Sequence, residues 1–205
     1  MAVVFSLQGS MAVGKTTAAR YVERALPSVF VSYENPAPML AEIRDRNLRA
    51  DTLDGFLEIQ RIFMKAERRR WEQVQDKRYA LIDLGAEEIE FYTLFYPRSM
   101  GLDWEVEKYL KDELSDLRKC MADHLLYLDA GDRTLLEHKE NDAARKRGSF
   151  DHYHKNMVPL KREWFLKQRN HSPDILRVDG MSKAQVGQFV VSWIERYIAT
   201  PMPLQ

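Results

Sequence analysis

The chain is most sharply bounded by what it lacks. It has one cysteine, Cys120, among 205 residues, which excludes an intrachain disulfide and any cysteine-based zinc site. Cys120 falls in the helical stretch Glu113–Asp123 and reads as a small, packed apolar side chain. No apolar run approaches the ~20 residues needed to span a bilayer, so a membrane role is not expected. Net charge is missing too, since 31 Lys and Arg balance 31 Asp and Glu. Such balance gives no support for a nucleic-acid or membrane surface. Repeats, low-complexity tracts and linkers are absent, so residues 1–205 read as one domain, long enough to bury a proper core. The apolar N-terminus reads as a strand rather than a secretory signal, which places the protein in the cytoplasm. A homodimer is compatible with the sequence, which leaves the oligomeric state open.

Apolar runs of strand length recur between helical stretches. They are Val3–Leu7, Val29–Tyr33, Tyr79–Asp83, Leu125–Leu128 and Ile175–Val178. Near-continuous apolar strands separated by helices indicate a parallel sheet covered on both faces, hence a three-layer α/β fold with five strands. Helices are expected over Thr17–Leu26, Asp54–Gln75, Glu87–Phe95, Trp104–Met121, Asp132–His138 and Ser182–Ile198. Pro97 closes the third of these, and Pro36 and Pro38 mark a loop after the second strand. In such sheets ligands sit at the carboxyl ends of the strands.

The first of those ends carries the strongest signal. Gly9, Ser10, Met11, Ala12, Val13, Gly14, Lys15 and Thr16, followed by Thr17, fit the pattern G-x-x-x-x-G-K-[ST]. With a strand before it and a helix after it, this loop offers backbone N–H groups and a positive helix end to phosphate oxygens. Lys15 then reaches the β- and γ-phosphates and the Thr16 hydroxyl takes a Mg²⁺ site. A nucleoside triphosphate ligand follows.

The other strand ends supply acids. Glu34 follows the second strand and faces the loop, where a carboxylate can accept the proton of an attacking hydroxyl. Asp83 ends the third strand in the position of a metal-holding acid. Glu87 and Glu88 read as first-turn residues that complement a helix dipole. Lys139–Arg147 is a basic run, within a candidate lid at about 138–150, whose Arg145 and Arg147 can fork onto phosphate oxygens. Phe56 and Gln60 on the long helix suit a flat base, and one of Arg68, Arg69 and Arg70 must face inward. The substrate-binding candidates are therefore Glu34, Phe56, Gln60, Arg68 and Arg98. His152 and His154 lack a third ligand and read as ordinary surface or packing histidines.

The arrangement resembles the P-loop small-molecule kinases, and among them the deoxynucleoside kinase family. The resemblance rests on Gly9–Thr17, Glu34-Asn35-Pro36, Phe56 with Gln60, Leu125–Asp129 leading to Arg145–Arg147, and Val178-Asp179-Gly180 before the last helix. It implies ATP as donor, Mg²⁺, a nucleoside 5′-hydroxyl as acceptor, Glu34 as general base and lid arginines at the transition state. One departure stands out: the family's acid-Arg-Ser after strand three is Asp83-Leu84-Gly85 here. Another acceptor, such as a nucleoside monophosphate, a sugar or an antibiotic hydroxyl, fits the same motifs. So does a nucleotide-binding regulatory module without transfer chemistry.

Overall fold

The computed structural model describes residues 2–141, 150, 153–167 and 173–199. Five strands, β1 (Val3–Gly9), β2 (Val29–Ser32), β3 (Tyr79–Asp83), β4 (His124–Asp129) and β5 (Asp174–Arg177), form one sheet. Their order is β2-β3-β1-β4-β5 and every pairing is parallel. The expected α/β architecture is therefore present. Register aligns Leu7 with Asp83 and Gly9 with Leu128, so the ends of the three central strands share one rim.

Helices cover the sheet. They are α1 (Lys15–Ala25), α2 (Ala37–Asp45), α3 (Leu53–Val74), α4 (Ala86–Ser99), α5 (Val106–Tyr109), α6 (Lys111–Arg118) and α7 (Asp132–Glu140). A π-helical turn at Tyr153–Met157 runs into α8 (Val158–Lys167), and α9 (Lys183–Ala199) closes the described chain. Strand β1 buries Val4, Phe5 and Leu7 completely, as a central strand covered on both faces must. The main core packs Phe5, Leu7 and Leu126 with Val22 of α1 and Trp193 and Ile194 of α9. A second core, with Phe56, Leu57, Leu110, Leu114 and Leu117, lies among α3, α4, α5 and α6. Among the described residues no helix is long and apolar enough to cross a membrane.

The structure departs from the sequence expectation in four places. The segment marked as a loop by Pro36 and Pro38 forms α2, because prolines in a first helical turn lose no hydrogen bond. Helix α4 continues through Pro97 to Ser99. The proline sits in the last turn, so it removes one i→i−4 bond near the helix end and leaves the turns before it intact. The stretch Trp104–Met121 is split into α5 and α6, because fully buried Leu110 leaves the helical region at φ −116°. Helix α8 was not expected at all.

Candidate active site

The loop after β1 has the strained backbone its sequence implies. Gly9, Ala12 and Gly14 have φ of 138°, 69° and 105°, all in the region that disfavours side chains. At Gly9 a Cβ would also collide with the Leu128 carbonyl oxygen on β4. Gly14 caps α1 without a side-chain bond, so the first N–H groups of the helix remain aimed at the loop, the arrangement that binds anions. The Lys15 ammonium donates to the carbonyls of Gly9 (2.8 Å) and Ser10 (2.9 Å). His138, at the end of α7, lies 3.0 Å from the Ala12 carbonyl through Nδ1.

Thr16 and Asp83 meet at the end of β3. Thr16 Oγ1 donates to Asp83 Oδ2 at 2.8 Å. Asp83 is 3 % exposed, and its Oδ1 is buried with no hydrogen-bond partner among the described residues. An orphaned carboxylate oxygen beside a hydroxyl suits a hard cation that takes one or two protein ligands and completes its shell with phosphate and water oxygens. Among the described residues no group of three or more His, Cys, Asp or Glu side chains could hold a metal. Next to Asp83, Leu84 adopts φ 59°, a strained conformation of the kind concentrated at functional sites.

Glu34 follows β2 on the same rim, with its side chain open to solvent. Protein packed around the carboxyl raises its pKa by desolvation, and the Glu88 carboxylate raises it further. Lys15 and Arg70 oppose these effects and Asp83 adds to them. Glu34, Asp83, Glu88, Lys15 and Arg70 thus share one electrostatic neighbourhood.

The remaining candidates divide. Arg68 is exposed and pairs with Glu72 (3.2 Å) and Asp116 (3.6 Å), toward α6. Arg70 is the member of the triplet that turns inward. It donates to the carbonyls of Leu84 (2.5 Å) and Asp83 (3.4 Å) and pairs with buried Glu67 (3.1 Å). Phe56 is buried and stacked on Tyr96, with centroids 6.0 Å apart. Gln60 Oε1 accepts from Thr93 Oγ1 at 2.9 Å. Both therefore lie inside the α3–α4 interface. Arg98 is exposed over the Phe95 ring at 5.4 Å, and is about 18 Å along α4 from Ala86. Arg145 and Arg147, with residues 142–149 of the candidate lid, lie outside the described residues, as does His152.

Three further residues belong to this neighbourhood. Glu87 is fully buried, with its pKa raised by desolvation, and accepts from the Ala122 amide at 2.8 Å. It holds α4 to the segment before β4 instead of merely facing the helix dipole. Glu88 is buried and forms an ion pair with Lys161 of α8. Lys161 is fully buried and donates to the Gly9 carbonyl at 2.8 Å. The signal for Lys161 was a buried stripe, Val158, Lys161 and Phe165, with the lysine interrupting its apolar pattern.

No family model and no curated protein matches this sequence. Solved structures do match the fold. A deoxyadenosine kinase from M. mycoides with bound dATP superposes with a TM-score of 0.73 at 12% identity, covering 97% of this chain and 100% of that one. The same enzyme with bound dCTP gives 0.70 at 12% identity, covering 94% and 99%. A thymidylate kinase from Candida albicans gives 0.67 at 16% identity, covering 100% and 97%. The fold that positions the Gly9–Thr17 loop is the one these P-loop kinases share.

Proposed function

We propose that the chain is an ATP-dependent, Mg²⁺-requiring kinase that transfers a γ-phosphoryl group to a hydroxyl of a small molecule, with a (deoxy)nucleoside as the first acceptor to test. The observation that carries this reading is the placement of Glu34 and the Thr16–Asp83 pair on one rim around Lys15. Lys15 and the N–H groups at the start of α1 hold the phosphate oxygens. Thr16 and Asp83 would hold Mg²⁺, which when bound would neutralise charge on the phosphates. In the transfer, the acceptor oxygen bonds to the γ-phosphorus while the bond to the β,γ-bridging oxygen breaks. The hydroxyl proton passes to Glu34 and ADP leaves.

Arg70 comes from α3 to the strand end where the resembled family carries an arginine and this chain has Leu84. Its guanidinium holds the Asp83 and Leu84 carbonyls and so fixes the strand end that carries the metal acid. The likeness to a deoxyadenosine kinase supports a nucleoside as acceptor, and the likeness to a thymidylate kinase supports trying monophosphates beside it. In this reading residues 1–205 act as one cytoplasmic domain. The test is incubation of the purified chain with Mg-ATP and parallel sets of nucleosides and nucleoside monophosphates, followed by mass spectrometry. A product one phosphoryl group heavier than its acceptor supports the proposal. ATP binding without any such product favours a regulatory nucleotide-binding module.

A further inference from the structure

We infer that Lys161, on α8, is a positioning residue of the phosphate site, which fixes the Gly9 carbonyl that anchors Lys15 and offsets the charge of Glu88 beside the phosphates. The inference rests on the triphosphate reading of the loop. Lysine is among the residues least often buried whole, yet Lys161 exposes nothing. A leucine or methionine between Val158 and Phe165 would complete that face of α8 without desolvating a charge. The ammonium is instead spent on two partners, Glu88 and the Gly9 oxygen.

The second partner is shared. Lys15 donates to the same Gly9 oxygen, also at 2.8 Å, and a carbonyl oxygen has lone pairs for both. The two ammonium nitrogens therefore lie within about 6 Å of each other. Like charges at that separation repel, so the pair persists only because acids surround it. Glu88 from α4 and Glu34 from the segment after β2 face Lys161, Lys15 comes from the loop, and the Phe165 ring lies 5.8 Å away. The Gln8 amide, turned so that its nitrogen donates, reaches Glu88 at 3.1 Å. Without Lys161, Glu88 would stand as an uncompensated carboxylate near Glu34 and Asp83, and incoming phosphates would meet that added negative charge.

Burial, opposed by Glu88 and reinforced by Lys15, brings the Lys161 pKa down to about 8. The ammonium is therefore present below that pH and is lost as pH rises through it. Donor affinity follows the same direction.

The test is calorimetric titration of the full chain with Mg-ATP at pH 7 and pH 9, using wild type, Lys161→Met and the double variant Lys161→Met/Glu88→Gln. Wild type should bind about fivefold more weakly at pH 9, because about one ammonium in eleven survives one unit above the pKa and the neutral form binds about tenfold more weakly. Lys161→Met should bind about tenfold more weakly at pH 7, with no further loss at pH 9. The double variant removes both members of a buried pair, a change that is often tolerated. It should recover most of the loss at pH 7 and be insensitive to alkaline pH. Wild-type affinity in Lys161→Met, or a wild-type alkaline loss in the double variant, overturns the inference. If Lys161→Met does not fold, the pH response of the double variant decides alone. Failure of wild type to bind Mg-ATP instead overturns the triphosphate reading itself.

Discussion

Replacing Glu34 by Gln keeps the size of the side chain and removes its ability to take a proton. Because the side chain is open to solvent, the fold should be little changed. Loss of a general base costs about 10²- to 10⁴-fold in rate, or about 3–5 kcal/mol of transition-state stabilisation. The pH profile adds a sharper check. The Glu34 pKa is raised above its ordinary 4.5, first by the desolvating protein around the carboxyl and then by the Glu88 carboxylate. A base acts only when deprotonated, so turnover should fall as pH drops through this raised pKa, at higher pH than an ordinary carboxyl would give. Glu88→Gln removes the second of those causes and should move the acid limb to lower pH. Steady-state kinetics across pH on wild type, Glu34→Gln and Glu88→Gln measure all of this. Turnover in Glu34→Gln within a few-fold of wild type refutes the assignment of the base. An acid limb that stays in place in Glu88→Gln refutes the electrostatic argument behind it.

Other expectations follow from single contacts. Asp83→Asn should raise the Mg²⁺ concentration needed for half-maximal ATP binding by about tenfold, since one unit charge beside the ion is lost; a titration of Mg²⁺ against fixed ATP reads this. Arg70→Ala leaves Glu67 buried without its partner and should cost about 3–5 kcal/mol in denaturant unfolding. Arg68→Ala, at an exposed pair, should cost no more than about 1 kcal/mol in the same assay. At Gly187 an added Cβ would lie 2.7 Å from Tyr21 Cβ where α9 meets α1. Gly187→Ala should therefore destabilise by about 1–3 kcal/mol, seen as a lower Tm.

The strands and the loop were legible because their signals are local. A covered parallel strand must be apolar nearly throughout, and the phosphate loop needs its glycines and lysine at fixed spacing. Asp83 and Glu34 could be placed because a parallel sheet collects its strand ends on one rim. What the sequence hid depends on tertiary contacts. Consecutive arginines 68–70 require one to face inward, but only the docking of α3 against the β3 end decides that it is Arg70. Phe56 and Gln60 have the composition of a base-binding face, yet the packing of α4 encloses them. Lys161 masks its own helix, because a charge in a buried stripe looks like a solvent position until its partners, Glu88 and Gly9, are known.

The most direct test of the central claim is a single-turnover experiment with γ-labelled ATP, Mg²⁺ and a deoxynucleoside, comparing wild type with Lys15→Ala. The account predicts label on the acceptor in step with ADP formation by wild type, and none by the variant. Label released only as inorganic phosphate, or transfer that survives the loss of Lys15, would contradict it.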